Sequence, residues 1–162
     1  MVASVFHILC HAATKSLLFV SAIGLTDVSD GSRKFQDLTG AAYRHKIAGI
    51  GFTVGSLSMV GVPIFAGFIS KMLFANAAVF NEGKMLPAMV VLAVSTILNA
   101  IYFMKTVIRI YTPAETGHFC ITWKQEKMYA ATIILFVILN VILGMNSQPI
   151  VDLIKVGLSM FA

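Results

Sequence analysis

An all-α integral membrane protein is the fold the sequence predicts, with about four transmembrane helices, the second discontinuous, and an interfacial helix at the C-terminal end. Three observations predict it. Hydrophobic residues fill 58% of the 162 positions and charged residues only 12%, whereas a soluble domain carries about 25% charged. Four apolar stretches are each long enough to cross the ~30 Å hydrocarbon layer of a bilayer. The second of these holds a helix-breaking glycine and proline and then a lysine, in Gly61-Val62-Pro63-Ile64-Phe65-Ala66-Gly67-Phe68-Ile69-Ser70-Lys71.

The first stretch runs from about position 1 to 26. No basic region precedes it and Lys15 lies in its middle, so it reads as a span rather than a signal peptide. A polar loop over 27–46 carries Asp27, Asp30, Arg33, Lys34, Asp37, Arg44 and Lys46. The second stretch, 47–80, contains no charge except Lys71. As one helix it would be about 50 Å long, too long for a single crossing, and a break near 61–63 accounts for the excess. Gly61, Pro63 and Gly67 supply that break. After a short turn with Glu82 and Lys84, the third stretch spans 86–111, with Pro87 suited to a first helical turn. A second polar loop leads to the fourth stretch, 128–145. Residues 1–145 therefore form a transmembrane helical domain, and 146–162 an amphipathic tail at the membrane interface.

The net charge of +5 forms no basic patch outside the loops, which argues against a nucleic-acid partner. It reads instead as topological charge. If all four stretches cross, one side holds Arg33, Lys34, Arg44, Lys46, Arg109, Lys124 and Lys127, and the other only Lys84 and Lys155. That bias predicts cytoplasmic long loops and outward-facing termini. Cys10, in the first stretch, and Cys120, in a loop, read as two free thiols.

Three lysines remain inside the membrane segments. Lys105 is about 10 Å from the end of its stretch and can snorkel to the interface. Lys15 is about 16 Å from its nearer end, and Lys71 lies eight residues beyond the break. Both must face a polar interior or become neutral, so each is a candidate functional residue. His7, His11 and Lys15 follow one another at intervals of four and form a stripe along one helix face, flanked by Thr14 and Ser21. Such groups can pass protons through intervening water. The plain alternative is a row of buried polar residues bonded to neighbouring helices; two histidines and a lysine in register favour the proton path. His7, Cys10 and His11 also raise metal binding, but no Asp, Glu or further Cys lies in a membrane stretch to complete a site. No metal is expected.

His7-Ile8-Leu9-Cys10-His11-Ala12-Ala13-Thr14-Lys15-Ser16-Leu17-Leu18-Phe19 resembles the H-x-x-x-H-A-x-x-K-x-x-L-F helix of the antiporter-like membrane subunits. That family includes membrane-arm subunits of respiratory complex I, Mrp-type cation/proton antiporters and membrane-bound hydrogenases. The stretch from Gly61 to Lys71 resembles its G-x-P-P-x-x-G-F-x-S-K discontinuous helix, with Ile64 in place of the second proline. The resemblance implies a fold of about fourteen helices built on two inverted repeats, each with a broken helix and a key ionisable residue. This chain resembles only the C-terminal part, a partial second repeat. It is therefore expected to be a truncated product, one half of a split subunit or a piece of a longer chain.

By the same resemblance, Lys71 serves a terminal proton step, and His7, His11 and Lys15 link it to a central hydrophilic axis. Should Lys15 and Lys71 lie within ~10 Å, an effective dielectric of about 20 gives roughly 1.7 kcal/mol of repulsion, enough for one charge to bias the other. The implied function is proton or cation/proton translocation in the inner (plasma) membrane, within an NADH:quinone oxidoreductase or Mrp-type complex. The implied partners are other membrane subunits, including further N-terminal helices, and protons or Na+. The alternative is a structural remnant that scaffolds its partners. No quinone, flavin, nucleotide or iron–sulfur motif is present, so no cofactor is expected and any redox chemistry belongs to other subunits.

Overall fold

The structure, a computed structural model, describes residues 1–79, 85–113 and 127–160. In chain order the described residues form α1 (Val2–Asp27), α2 (Ala41–Arg44), α3 (Lys46–Val60), α4 (Ala66–Val79), α5 (Met85–Ile110), α6 (Lys127–Met145) and α7 (Gln148–Ser159). Three of them, α1, α5 and α6, are long and apolar enough to cross a membrane. The apolar helices α3 and α4 are shorter, at 15 and 14 residues, which is about 22 and 21 Å.

Helix α1 is the pivot. Its buried face repeats with the helical period through Phe6, Cys10, Ala13, Leu17, Ser21 and Leu25. Against it pack α3, α4, α6 and α7. Helix α5 packs on α3 and α4 and touches neither α1 nor α6 among the described residues. The result is a bundle with α5 set off to one side, leaving a cleft between α1 and α5 whose floor is α4.

Each boundary has a local cause. The loop over 27–46 contains the single turn α2, and α3 begins at Lys46 because the buried His45 caps it. The Ala48 amide donates to His45 Nδ1 at 3.4 Å, and the ring lies 5.0 Å from that of Tyr129 on α6. The stretch over 47–80 becomes two helices, with the interruption running on from Gly61 through Phe65. Near the other end of α5, Lys105 and Arg109 both lie over the Phe35 ring, at 5.6 and 5.7 Å, so Lys105 sits at the level of the polar loop. In the tail, α7 starts on Gln148-Pro149 and turns Val151 into the apolar cluster of Phe6, Cys10, Ala66 and Leu143. Its outer face carries the exposed Asp152–Lys155 pair. Cys10 is buried and unbridged; Cys120, Lys84, Lys124 and the turn with Glu82 lie outside the described residues.

Candidate functional site

A helix end leaves its last four carbonyls without partners in the helix, and they must find partners elsewhere. The end of α3 resolves this with its own backbone and one side chain. Gly61 takes the left-handed conformation, φ 90°, which a residue without Cβ adopts freely. Its amide donates to the carbonyls of Leu57 and Ser58, and the Val62 amide donates to Leu57, the pattern of a Schellman cap. The remaining two carbonyls are taken by Lys71. Its Nζ donates to Val60 O at 2.7 Å and Met59 O at 3.2 Å. The ammonium thus sits at the negative end of the α3 dipole, a placement that stabilises a cation by roughly 0.3–2 kcal/mol. A side chain on residue 61 would press on Lys71 itself, because a Cβ there would lie 3.0 Å from Lys71 Cδ.

The other half of the break is held by a knot of neutral polar groups. Asn140 Oδ1, on α6, accepts from Thr14 Oγ1 of α1 at 2.8 Å and from Ser58 Oγ of α3 at 3.0 Å. Asn140 Nδ2 donates to Phe136 O, and the Gly67 amide donates to Ser58 Oγ. Four elements, α1, α3, α4 and α6, meet there, and Thr14, Ser58 and Asn140 are all buried. Gly67 is required by this approach, since a Cβ would collide with the Ser58 carbonyl.

Lys71 also faces the cleft between α1 and α5. Its third hydrogen bond goes to Thr96 Oγ1 of α5, at 3.0 Å. The cleft has a volume of about 650 Å³, and its polar lining includes His7, His11, Ser70, Lys71, Ser95 and Asn99. His7 Nδ1 and Ser70 Oγ share a hydrogen bond of 2.6 Å, so α1 is tied to the residue preceding Lys71. The rings of His7 and His11 are 5.4 Å apart. Of the residues singled out from the sequence, the structure therefore gathers His7, His11, Gly67 and Lys71 around one cavity, with Gly61 against the lysine. Pro63 lies exposed in the connecting turn. Lys15 is not in the cleft lining; its Nζ lies 6.0 Å from the Phe19 ring. The reason is helical drift: each step of four residues turns about 40°, so Lys15 is about 80° round the axis from His7.

A mostly apolar cavity with two histidines and a lysine beside a broken helix is the setting in which the chain's likeness to known proteins acquires meaning. Residues 1–98 match the family described as NADH:quinone oxidoreductase/Mrp antiporter, transmembrane. The chain belongs to this family. It is 30% identical over 127 residues to NADH-quinone oxidoreductase subunit N of Acinetobacter baumannii, covering 76% of this chain and 25% of that protein. Over 138 residues it is 25% identical to NADH-ubiquinone oxidoreductase chain 5 of Pelomedusa subrufa, covering 85% of this chain and 23% of the relative. Over 74 residues it is 36% identical to the putative antiporter subunit mnhA2 of Staphylococcus aureus, covering 46% of this chain and 9% of the relative. The chain spans about a quarter of the length of the first curated relatives it matches.

In this member of the NADH:quinone oxidoreductase/Mrp antiporter family, Ile64 stands where the resembled motif has its second proline. Ile64 has φ 91°, a value that a proline ring, fixed near −65°, cannot reach and that strains a β-branched residue. Sequence reading passed over Thr96, Ser70, Ser58 and Asn140. A signal was present for two of them. Asn140 is an amide deep in the most apolar stretch, and Thr96 lies in a polar group with Ser95 and Asn99 inside another; intramembrane polar residues of that kind seek partners.

Proposed function

We propose that this chain is the translocating part of an antiporter-like membrane subunit that moves protons, or a cation against protons, and that Lys71 is its ionisable station. The observation that carries the reading is the setting of Lys71. Its ammonium is held by two backbone carbonyls at a helix break, beside a cavity lined by His7 and His11 and, among the described residues, by no carboxylate. A cation at membrane depth held by carbonyls and a hydroxyl, but with no carboxylate beside it among the described residues, is costly, so small changes in hydration or in neighbouring charge alter its hold on a proton. His7, bonded to Ser70, and His11 are the next groups along the cavity, and Lys15 continues the stripe beyond it.

In this reading α1, the pair α3 and α4 taken together, α5 and α6 make four crossings of the inner membrane, as a partial second repeat of the family fold. Residues 1–145 form the transmembrane domain and 146–162 the interfacial tail. The basic loops face the cytoplasm and the termini face outward. The chain works with other membrane subunits of a multi-subunit complex, whose helices cover the open side of the cleft and the exposed face of α5. Protons are the favoured cargo, with Na+ as the other candidate.

The test is proton translocation by vesicles carrying the assembled complex with Lys71→Met. The expected result is assembly at the normal level with translocation lost. Unchanged translocation refutes the proposal and favours the scaffolding alternative.

A further inference from the structure

The hydrogen bonds of Lys71 can be counted, and the count singles out a residue on another helix. A lysine ammonium has three hydrogens and no lone pair. In this structure three acceptors lie within reach: Val60 O at 2.7 Å, Thr96 Oγ1 at 3.0 Å and Met59 O at 3.2 Å. Every hydrogen of the charged lysine therefore has a partner, and a proton reaches the cavity only when one of these bonds is given up. The two carbonyls belong to the backbone at the end of α3 and cannot turn away. Thr96 is different. Its own hydroxyl hydrogen goes to Leu92 O at 2.8 Å, which leaves the oxygen lone pairs facing Lys71. A threonine hydroxyl can exchange these roles by rotating about its C–O bond.

We infer that Thr96 is a positioning residue for the proton on Lys71, its hydroxyl accepting from the ammonium and turning to donate to the neutral amine. The inference rests on the reading of Lys71 as the ionisable station. The proton that leaves is the one held toward Thr96: its N–H bond breaks, cavity water relays it to a neutral histidine of the lining, His7 or His11, which becomes imidazolium, and the amine keeps two hydrogens and gains a lone pair. The two hydrogens stay on Met59 O and Val60 O, so the α3 end remains capped. The lone pair then points at Thr96, and the hydroxyl leaves Leu92 O to meet it. Thr96 thus serves both charge states without any movement of backbone. Its bond to the charged state is the stronger of the two, because hydrogen bonds from ionised donors are roughly twice as strong as neutral ones.

The titratable groups around Lys71 bound this claim. On α1, His7, Cys10 and His11 line the same cavity; the lining residues of α3 and α5 include no titratable side chain, and α6 contributes none to the lining. A pH dependence of transport therefore contains His7 and His11 as well as Lys71, and only a change made at Thr96 separates the lysine's part. Thr96→Val keeps the shape and removes the hydroxyl. Thr96→Ser keeps the hydroxyl.

The experiment measures translocation against pH in vesicles carrying the assembled complex, for the wild type, Thr96→Val, Thr96→Ser and Lys71→Met. The expected result is a midpoint for Thr96→Val displaced by about one pH unit toward acid, with Thr96→Ser at the wild-type midpoint. A purely structural threonine would lower the rate at every pH and leave the midpoint in place, and that result overturns the inference. So does a serine variant displaced as far as the valine variant. If Lys71→Met is inactive while Thr96→Val keeps the wild-type midpoint, the role of Thr96 falls and that of Lys71 stands. If Lys71→Met transports normally, both fall. Should Thr96→Val fail to assemble, Thr96→Ala supports the same comparison with less bulk at the site.

Discussion

Replacing Asn140 by leucine tests whether the polar knot fixes the break. The substitution preserves approximate side-chain size and removes three hydrogen bonds: those from Thr14 Oγ1 and Ser58 Oγ, and the one to Phe136 O. Two of these bonds run between helices, where such bonds average about 0.6 kcal/mol each by double-mutant cycles, so together they give about 1 kcal/mol; the third, to Phe136 O, lies within α6. The loss stops there, because Thr14 Oγ1 and Ser58 Oγ already lie 3.2 Å apart and can bond to each other. Reversible unfolding of the detergent-solubilised complex, followed by helix signal against denaturant, reads the change. Asn140→Leu is expected to destabilise by about 1 kcal/mol, and Thr14→Val added to it by less than Thr14→Val costs alone, a coupling of about 0.6 kcal/mol. Strictly additive effects, or an Asn140→Leu protein as stable as the wild type, would refute the reasoning.

Other expectations come from the backbone. Gly144→Ala places a methyl against the Ile64 carbonyl and should destabilise by about 1–3 kcal/mol, whereas Gly157→Ala, with nothing near the new methyl, should stabilise by about 0.5–1 kcal/mol; parallel unfolding curves decide between equal and opposite signs. Ile64→Gly relieves the positive φ of 91° and should raise stability, while Ile64→Pro should lower it, by about 1 kcal/mol or more in each case. Ser70→Ala removes the hydroxyl partner of His7 Nδ1 and should increase the rate at which a histidine-acylating reagent labels His7, read by mass spectrometry of the peptide.

Much of the fold was legible because each apolar run fixes a helix and each run length fixes its reach. The break was legible at its start, since Gly61 and Pro63 punctuate an apolar run. Its end at Phe65 was not, because it depends on the left-handed Ile64, a conformation that no β-branched residue advertises. The stripe of His7, His11 and Lys15 was legible as spacing, but the slow rotation of positions four apart takes Lys15 out of the cleft. The partners of Lys71 were hidden for another reason. Thr96 stands twenty-five positions away on a separate helix, and the two carbonyls become acceptors only once α3 ends where it does. Helix packing decides such pairings, and sequence periodicity does not carry it.

The central claim, that the amine of Lys71 is what transport requires, is tested most directly by removing it and restoring it chemically. With Cys10 and Cys120 replaced by alanine and serine, Lys71→Cys presents one thiol to the cavity, and 2-bromoethylamine converts it to a side chain of nearly lysine length ending in an amine. The account predicts proton translocation lost in the cysteine variant and recovered after alkylation by bromoethylamine, with no recovery after alkylation by neutral iodoacetamide. Normal transport by the unmodified cysteine variant, or equal recovery with the neutral reagent, would contradict it.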